Sequence, residues 1–116
     1  MNNFKKKYTF NQRYNEAQRI LRKYPERVPI IVDKDQDTNN IPEIDKRKFL
    51  VPGDLTVAQF IFVIRKRIKL SPEKAIFLFV GNNLPVSSSL MSDVYNKYKD
   101  DDLFLYCSIS GENTFG

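Results

Sequence analysis

Histidine and tryptophan are absent from the chain, cysteine occurs once and glycine four times. These shortages exclude an internal disulfide, a zinc site built on imidazole and thiolate, and any Ser-His-Asp or Cys-His catalytic unit within the chain. Long apolar runs are also missing. The longest, Ala75–Val80, has six residues, against the roughly 20 needed to cross a bilayer as a helix. Lys5, Lys6 and Lys7 are followed by polar residues, so the N-terminus lacks the apolar stretch of a signal peptide. There is no internal repeat and no low-complexity tract. The expectation is a chain from a reducing, cytosolic setting with no active site, metal or cofactor of its own. What is present suits one globular domain: 116 residues, 41% hydrophobic and 28% charged.

Charge is unevenly placed. Residues 1–27 hold Lys5, Lys6, Lys7, Arg13, Arg19, Arg22, Lys23 and Arg27 against Glu16 and Glu26, while acids slightly outnumber bases in the rest of the chain. The net +5 therefore originates in the N-terminal segment. Two further basic clusters are Lys46-Arg47-Lys48 and Arg65-Lys66-Arg67 with Lys69. Such clusters serve equally as solvated surface or as a face for acidic peptides, anionic lipid or nucleic acid, and charge count does not choose among them. Nucleic-acid modules interleave aromatics with bases on one open sheet face; here the aromatics are spread over helices and strands, so no nucleic-acid partner is expected. Asp100-Asp101-Asp102 reads as a charged turn rather than a metal site, and Cys107, mid-strand, as a small buried residue rather than a nucleophile.

Phe10, Tyr14, Ala17, Ile20, Leu21 and Tyr24 recur at helical spacing and predict an amphipathic helix over 10–23. Thr9 and Gln12 suit a capping box, and Pro25 ends the helix. Residues 3–7 predict a short helix held by Phe4, too short to be stable alone. Val28–Val32 reads as a strand by its β-branched content, with Pro29 confined to its first residues. Residues 33–40 read as a polar loop. Lys48–Val51 predicts a second strand, closed by Pro52-Gly53-Asp54.

Thr56 and Gln59 suit another capping box, opening a helix to about Lys69. Val57, Ile61, Ile64 and Ile68 form its expected core stripe. Phe60 and Val63 make a second apolar line beside it, continued by Arg67, which either packs under a loop or walls an exposed groove. Ala75–Val80 and Leu103–Ile109 predict strands apolar on both faces, the latter central. Gly81-Asn82-Asn83 reads as a turn, and Ser89–Lys99 as a short helix with Leu90, Val94 and Tyr98 on one side. Ser110–Gly116 carries no regular signal and reads as a mobile tail. After two leading helices, the order strand-strand-helix-strand-helix-strand predicts an α+β fold, the ubiquitin-like β-grasp: a four-stranded mixed sheet packed on a central helix. The expected organisation is an N-terminal helical extension over 1–25, a core over 26–110 and a tail over 111–116.

Several segments carry a family resemblance. Ile41-Pro42-Glu43-Ile44-Asp45-Lys46-Arg47-Lys48-Phe49-Leu50-Val51-Pro52, Asp54-Leu55-Thr56-Val57 with Gln59-Phe60, Ile64–Ile68, Glu73–Phe77 and Ser110-Gly111-Glu112-Asn113-Thr114-Phe115-Gly116 resemble the ubiquitin-like autophagy modifiers. That family includes the light chain 3 and GABA-receptor-associated proteins, and the resemblance is closest to the yeast and plant type. It runs from about Tyr8 to Gly116. It implies conjugation of Gly116 to phosphatidylethanolamine by an activating enzyme, a conjugating enzyme and a ligase complex. It implies as well a cysteine protease that exposes the glycine and later cuts the lipid off. It further implies a cytoplasmic protein that joins the autophagosome membrane when lipidated and can reach the vacuole or lysosome.

The resemblance also implies a groove for autophagy receptors bearing aromatic-x-x-aliphatic motifs, which add a strand at Lys48–Val51. Its aromatic pocket maps to Glu16, Ile20, Pro29, Ile31, Lys48, Leu50 and Phe104. Its aliphatic pocket maps to Phe49, Val51, Pro52, Leu55, Phe60 and Val63. Arg27, Lys46, Lys48 and Arg67 would meet acidic residues flanking the motif. Leu103 departs from the family pattern, in which glycine usually precedes the phenylalanine. The 33–40 loop, Cys107 and Ile109 are also unusual, and all of these bear on partner preference.

Overall fold

The computed structural model describes residues 3–35, 41–44 and 47–111. The elements are α1 (Asn3–Lys7), α2 (Phe10–Lys23), β1 (Arg27–Lys34), β2 (Lys48–Pro52), α3 (Val57–Ile68), β3 (Ile76–Phe79), α4 (Met91–Tyr98) and β4 (Leu105–Gly111). The sheet order is β2-β1-β4-β3; β1 lies antiparallel to β2 and parallel to β4, and β3 antiparallel to β4. The expected mixed sheet is therefore present with β4 inside it, and β2 and β3 are its two edges.

Both predicted capping boxes form. The Thr9 and Thr56 side chains accept from the N–H groups of Gln12 and Gln59, whose own side chains accept in return from the threonine N–H groups. Four donors that the helix starts would leave unmet are thereby satisfied. Strand alternation then divides the interior in two. Val28, Ile30 and Val32 of β1 meet Phe49, Val51, Leu105, Cys107 and Ile109 in the main core with α3. Ile31 and Phe104 face the other way, against Ala17 of α2, with Phe4, Ile20, Leu103 and Tyr106 packed around them. The sheet is thus covered on both faces.

Pro29 fits because of where its missing N–H would point. Val32 donates its N–H to Arg47 and Asp35 donates to Ile109, so even-numbered residues of β1 turn toward β2 and odd-numbered ones toward β4. The β4 ladder begins only at Ile30 opposite Leu105. Pro29 therefore lies on the β4 side before that ladder starts, and no sheet hydrogen bond is lost.

Several expectations need correction. β1 extends to Lys34, because pairing to β4 carries Asp33 and Lys34 out of the expected loop. β4 likewise runs through Ser110 and Gly111, paired to Phe77 and Ile76. Residues 36–40 of the loop, Lys46, and 112–116 of the tail lie outside the described residues. β3 is shorter than expected and is an edge, and of its two apolar faces the one bearing Phe77 is open, Phe77 being 42% exposed. In α4 the buried face is Met91, Val94 and Tyr95, and Leu90 stands outside it as the N-cap. The helix begins two residues later than expected, which leaves Leu90 outside it, while Tyr98 stays partly buried against the core as expected.

In α3 the buried residues are Val57, Phe60, Ile64 and Ile68, and Ile61 packs at the margin. Phe60 is 0% exposed and its ring meets Phe49 edge-on at 5.7 Å. Of the second apolar line, Val63 stays at the surface, 38% exposed. Ile64→Ala is expected to cost about 2–5 kcal/mol and Phe60→Ala about 3–5, since each leaves a core cavity. Val63→Ala should cost under about 1 kcal/mol. Urea melts of the three variants check the ranking; a Val63→Ala loss equal to that of Ile64→Ala would reverse the face assignment.

Candidate functional site

Of the groove residues named above, Pro29, Ile31, Lys48, Phe49, Leu50, Val51 and Pro52 lie on the paired strands β1 and β2, and Lys46 lies outside the described residues. The Val32–Arg47 hydrogen bond sets the register of the β1–β2 ladder. Arg47, Phe49 and Val51 therefore turn their backbone groups to β1, while Lys48 and Leu50 turn theirs to open solvent. Arg27 reaches across and donates from Nη1 to the Leu50 carbonyl at 3.3 Å. An incoming strand would compete with Arg27 for that oxygen.

Side-chain alternation along β2 gives each face of the sheet its own cluster. Toward α2 lie Lys48 and Leu50, opposite Ile31 and Pro29, with Ile20 and Phe104 in the same cluster as Ile31. Lys48 Nζ donates to Glu16, an ion pair that ties the β2 edge to α2 across this cluster. Toward α3 lie Phe49 and Val51, joined in the core by Phe60, with Leu55 packed against them. Val63 and the half-buried Pro52 and Leu55 give this side its accessible surface. Ile31, Phe104 and Phe60 are fully buried, so in the free protein they form the floor of their pockets rather than open wall. Arg67 and Arg27 are exposed.

A second polar assembly, not foreseen as such, lies beside the aromatic cluster. Asp102 is 0% exposed. It accepts from Arg13 Nε at 2.8 Å, from the Tyr106 hydroxyl and from the Phe104 N–H at 2.9 Å. Arg13 spends Nη1 on the carbonyls of Tyr8 at 2.6 Å and Lys5 at 3.3 Å, at the end of α1. Lys5 Nζ pairs with Asp100 at 2.8 Å and stands 4.6 Å from the Tyr106 ring centre. The charged turn is thus a clamp on the N-terminal helices. Arg13 and Asp102 carry no local sequence signal, because they are 89 residues apart and each resembles an ordinary surface charge.

The titration behaviour follows from this setting. Burial, then the hydrogen bond and charge of Asp102, push the Tyr106 phenol well above its ordinary value. Burial tends to raise the Asp100 carboxyl, but the Lys5 hydrogen bond, the Asp102 N–H and the Lys5 charge outweigh it, and the net shift is downward. Burial pushes the Cys107 thiol up to about 12, so at neutral pH it is not a nucleophile.

Leu103 has φ of +72°, a left-handed conformation that costs a non-glycine residue about 1–2 kcal/mol. This is the position at which the resemblance implies glycine. The turn holds it through its N–H to Asp100 O and the Tyr95 hydroxyl on its carbonyl.

A four-stranded mixed sheet on a capped helix, preceded by two helices on the opposite face, defines a ubiquitin-like domain with an N-terminal extension. The family model described as autophagy protein Atg8, ubiquitin like, matches residues 12–116. Among similar proteins, autophagy-related protein 8 of Mycosarcoma maydis is 59% identical over 113 residues, covering 97% of this chain and 95% of that one. Autophagy-related protein 8d of Arabidopsis thaliana is 54% identical over 116 residues, covering 100% and 96%. The crystal structure of Trypanosoma brucei ATG8 superposes with a TM-score of 0.93 at 45% identity, covering 100% of this chain and 99% of that one. Plasmodium falciparum Atg8, solved in complex with a Plasmodium falciparum Atg3 peptide, gives 0.85 at 35%, covering 97% and 100%. The chain belongs to the Atg8 family of ubiquitin-like autophagy proteins.

Proposed function

We propose that this chain is a modifier joined through the Gly116 carboxyl to the amine of phosphatidylethanolamine, and an adaptor that takes aromatic-x-x-aliphatic receptor motifs along β2. It has no catalytic centre and no cofactor. Its partners are the activating, conjugating and ligase proteins of lipidation, a cysteine protease that processes and delipidates it, and autophagy receptors. It moves from the cytoplasm to the autophagosome membrane on lipidation. The observation that carries this reading is the β2 edge, where the backbone groups of Lys48 and Leu50 face away from β1, the Leu50 carbonyl engaged by the exposed Arg27 side chain, with an apolar cluster on each face. An Atg3 peptide bound to the Plasmodium relative supports a peptide-binding role.

Two enclosed apolar side chains would contribute roughly 1.5–3 kcal/mol each. Association and ordering costs offset much of this, so affinities near micromolar are expected. Calorimetry with an acid-flanked and a neutral-flanked motif peptide, at low and high salt, tests the groove. Lys48→Glu should weaken the acid-flanked peptide several-fold more than the neutral one, and salt should shrink the difference. Leu50→Ala should weaken both alike with little salt dependence. Unchanged binding in both variants would remove the groove from this edge.

A further inference from the structure

The seven residues mapped to the aromatic pocket come from α2, β1, β2 and the segment leading into β4. None comes from α1, yet α1 reaches two of them. The Phe4 ring meets Phe104 edge-on at 5.2 Å and Tyr106 at 6.4 Å. The Lys48 ammonium stands 5.6 Å from the centre of the same ring. We propose, resting on the groove reading above, that Phe4 is a further wall of the aromatic pocket. It acts as a positioning residue through Lys48 and Phe104 and makes the pocket favour motifs with acidic flanks.

A five-residue helix does not hold itself in water, and α1 has no buried residue of its own. Its position is imposed by the clamp: Arg13 on the Lys5 and Tyr8 carbonyls, Asp102 on Arg13, and Lys5 on Asp100. Phe4 is thereby presented to the sheet rather than left on a fraying end. Its edge contact with Phe104 braces the pocket floor from outside the mapped set.

Lys48 ends a long, rotamer-rich side chain on an edge strand. Here it has two restraints, the Glu16 carboxylate on one side and the Phe4 ring on the other. An aromatic side chain entering between α2 and β2 must loosen the Glu16 pair. The Phe4 ring then keeps the ammonium at the pocket rim, where an acidic flank can take the place of Glu16. A ring attracts a cation through its negative face, and an aliphatic side chain of similar size does not. Wall and charge-positioning effects therefore separate by substitution.

The test is calorimetry of the full chain with the acid-flanked and neutral-flanked peptides, at low and high salt. Phe4→Ala should weaken both peptides, about three- to tenfold for the acid-flanked one. Phe4→Leu should keep neutral-peptide affinity near that of the unsubstituted chain while losing part of the acid-flank preference and its salt dependence. Phe4→Tyr should restore both. Should Phe4→Ala release α1, seen as loss of its amide protection, the Leu and Tyr pair still decides, because apolar volume is retained in both. If the unsubstituted chain binds neither peptide, the groove reading itself fails. If it binds and Phe4→Ala binds equally or more tightly, or if Leu and Tyr give the same acid-flank preference, the inference about Phe4 is overturned.

Discussion

Deleting Gly116 is expected to abolish attachment to phosphatidylethanolamine while leaving the thermal melt unchanged. On the proposed function, the acyl carbon that activation must reach belongs to that residue. Without it, Phe115 would present a bulky, chirally constrained terminus in place of a residue with no Cβ. Gly116→Ala should react more slowly rather than not at all, since a single methyl crowds the approach to the carboxyl. Reconstitution with the conjugation proteins, ATP and phosphatidylethanolamine vesicles, read by mass spectrometry of the adduct, checks both. Undiminished lipidation of the deletion would refute conjugation at this residue.

Asp102→Asn is expected to be among the most destabilising polar substitutions in the chain. It keeps shape and removes charge, leaving the guanidinium of Arg13, a residue only 9% exposed, without its counter-charge. Breaking a buried pair from one side costs about 3–5 kcal/mol, which in a domain of this size lowers the melting temperature by roughly 10–20 °C. Asp100→Asn, whose partner Lys5 is partly exposed, should cost no more than about 1 kcal/mol. The pH dependence has a definite sign. The folded Asp100 carboxyl sits below its ordinary 3.8, so its contribution is full above that value and fades as pH falls through the folded one. Melts from neutral to strongly acidic pH should show a shallower acid loss in Asp100→Asn. Equal stability of Asp102→Asn and the unsubstituted chain would mean that the clamp does not hold the N-terminal helices.

Local signals decided most of the elements. Thr9 with Gln12 and Thr56 with Gln59 mark helix starts because a hydroxyl and an amide side chain satisfy each other's backbone three residues away, a pattern complete within one turn. Strand identity was legible for a related reason: the β-branched content of Val28–Val32, and the short apolar stretch of Lys48–Val51 closed by Pro52-Gly53-Asp54, need no distant partner to be recognised. Strand ends were not legible. Asp33, Lys34, Ser110 and Gly111 are polar or small, and they are strand only because β1, β4 and β3 pair there.

The inward faces of α3 and α4 show the same division. Period alone allowed Ile61 or Phe60 to complete the α3 stripe, and Leu90 or Met91 that of α4. Contact with Phe49 across the core settled the first choice and the starting residue of the helix settled the second. By itself the sequence determined the order of elements, the basic N-terminal segment, the family and the chemistry of β2 as a candidate edge, since these rest on residue types and short spacings. Tertiary structure alone decided that Asp102 neutralises Arg13 from 89 positions away, that Lys48 is shared by Glu16 and Phe4, and that Phe104 is floor rather than open wall. Such contacts form between charges and rings that look like surface in one dimension, and their energy comes from exclusion of water, which exists only once the sheet is covered on both faces.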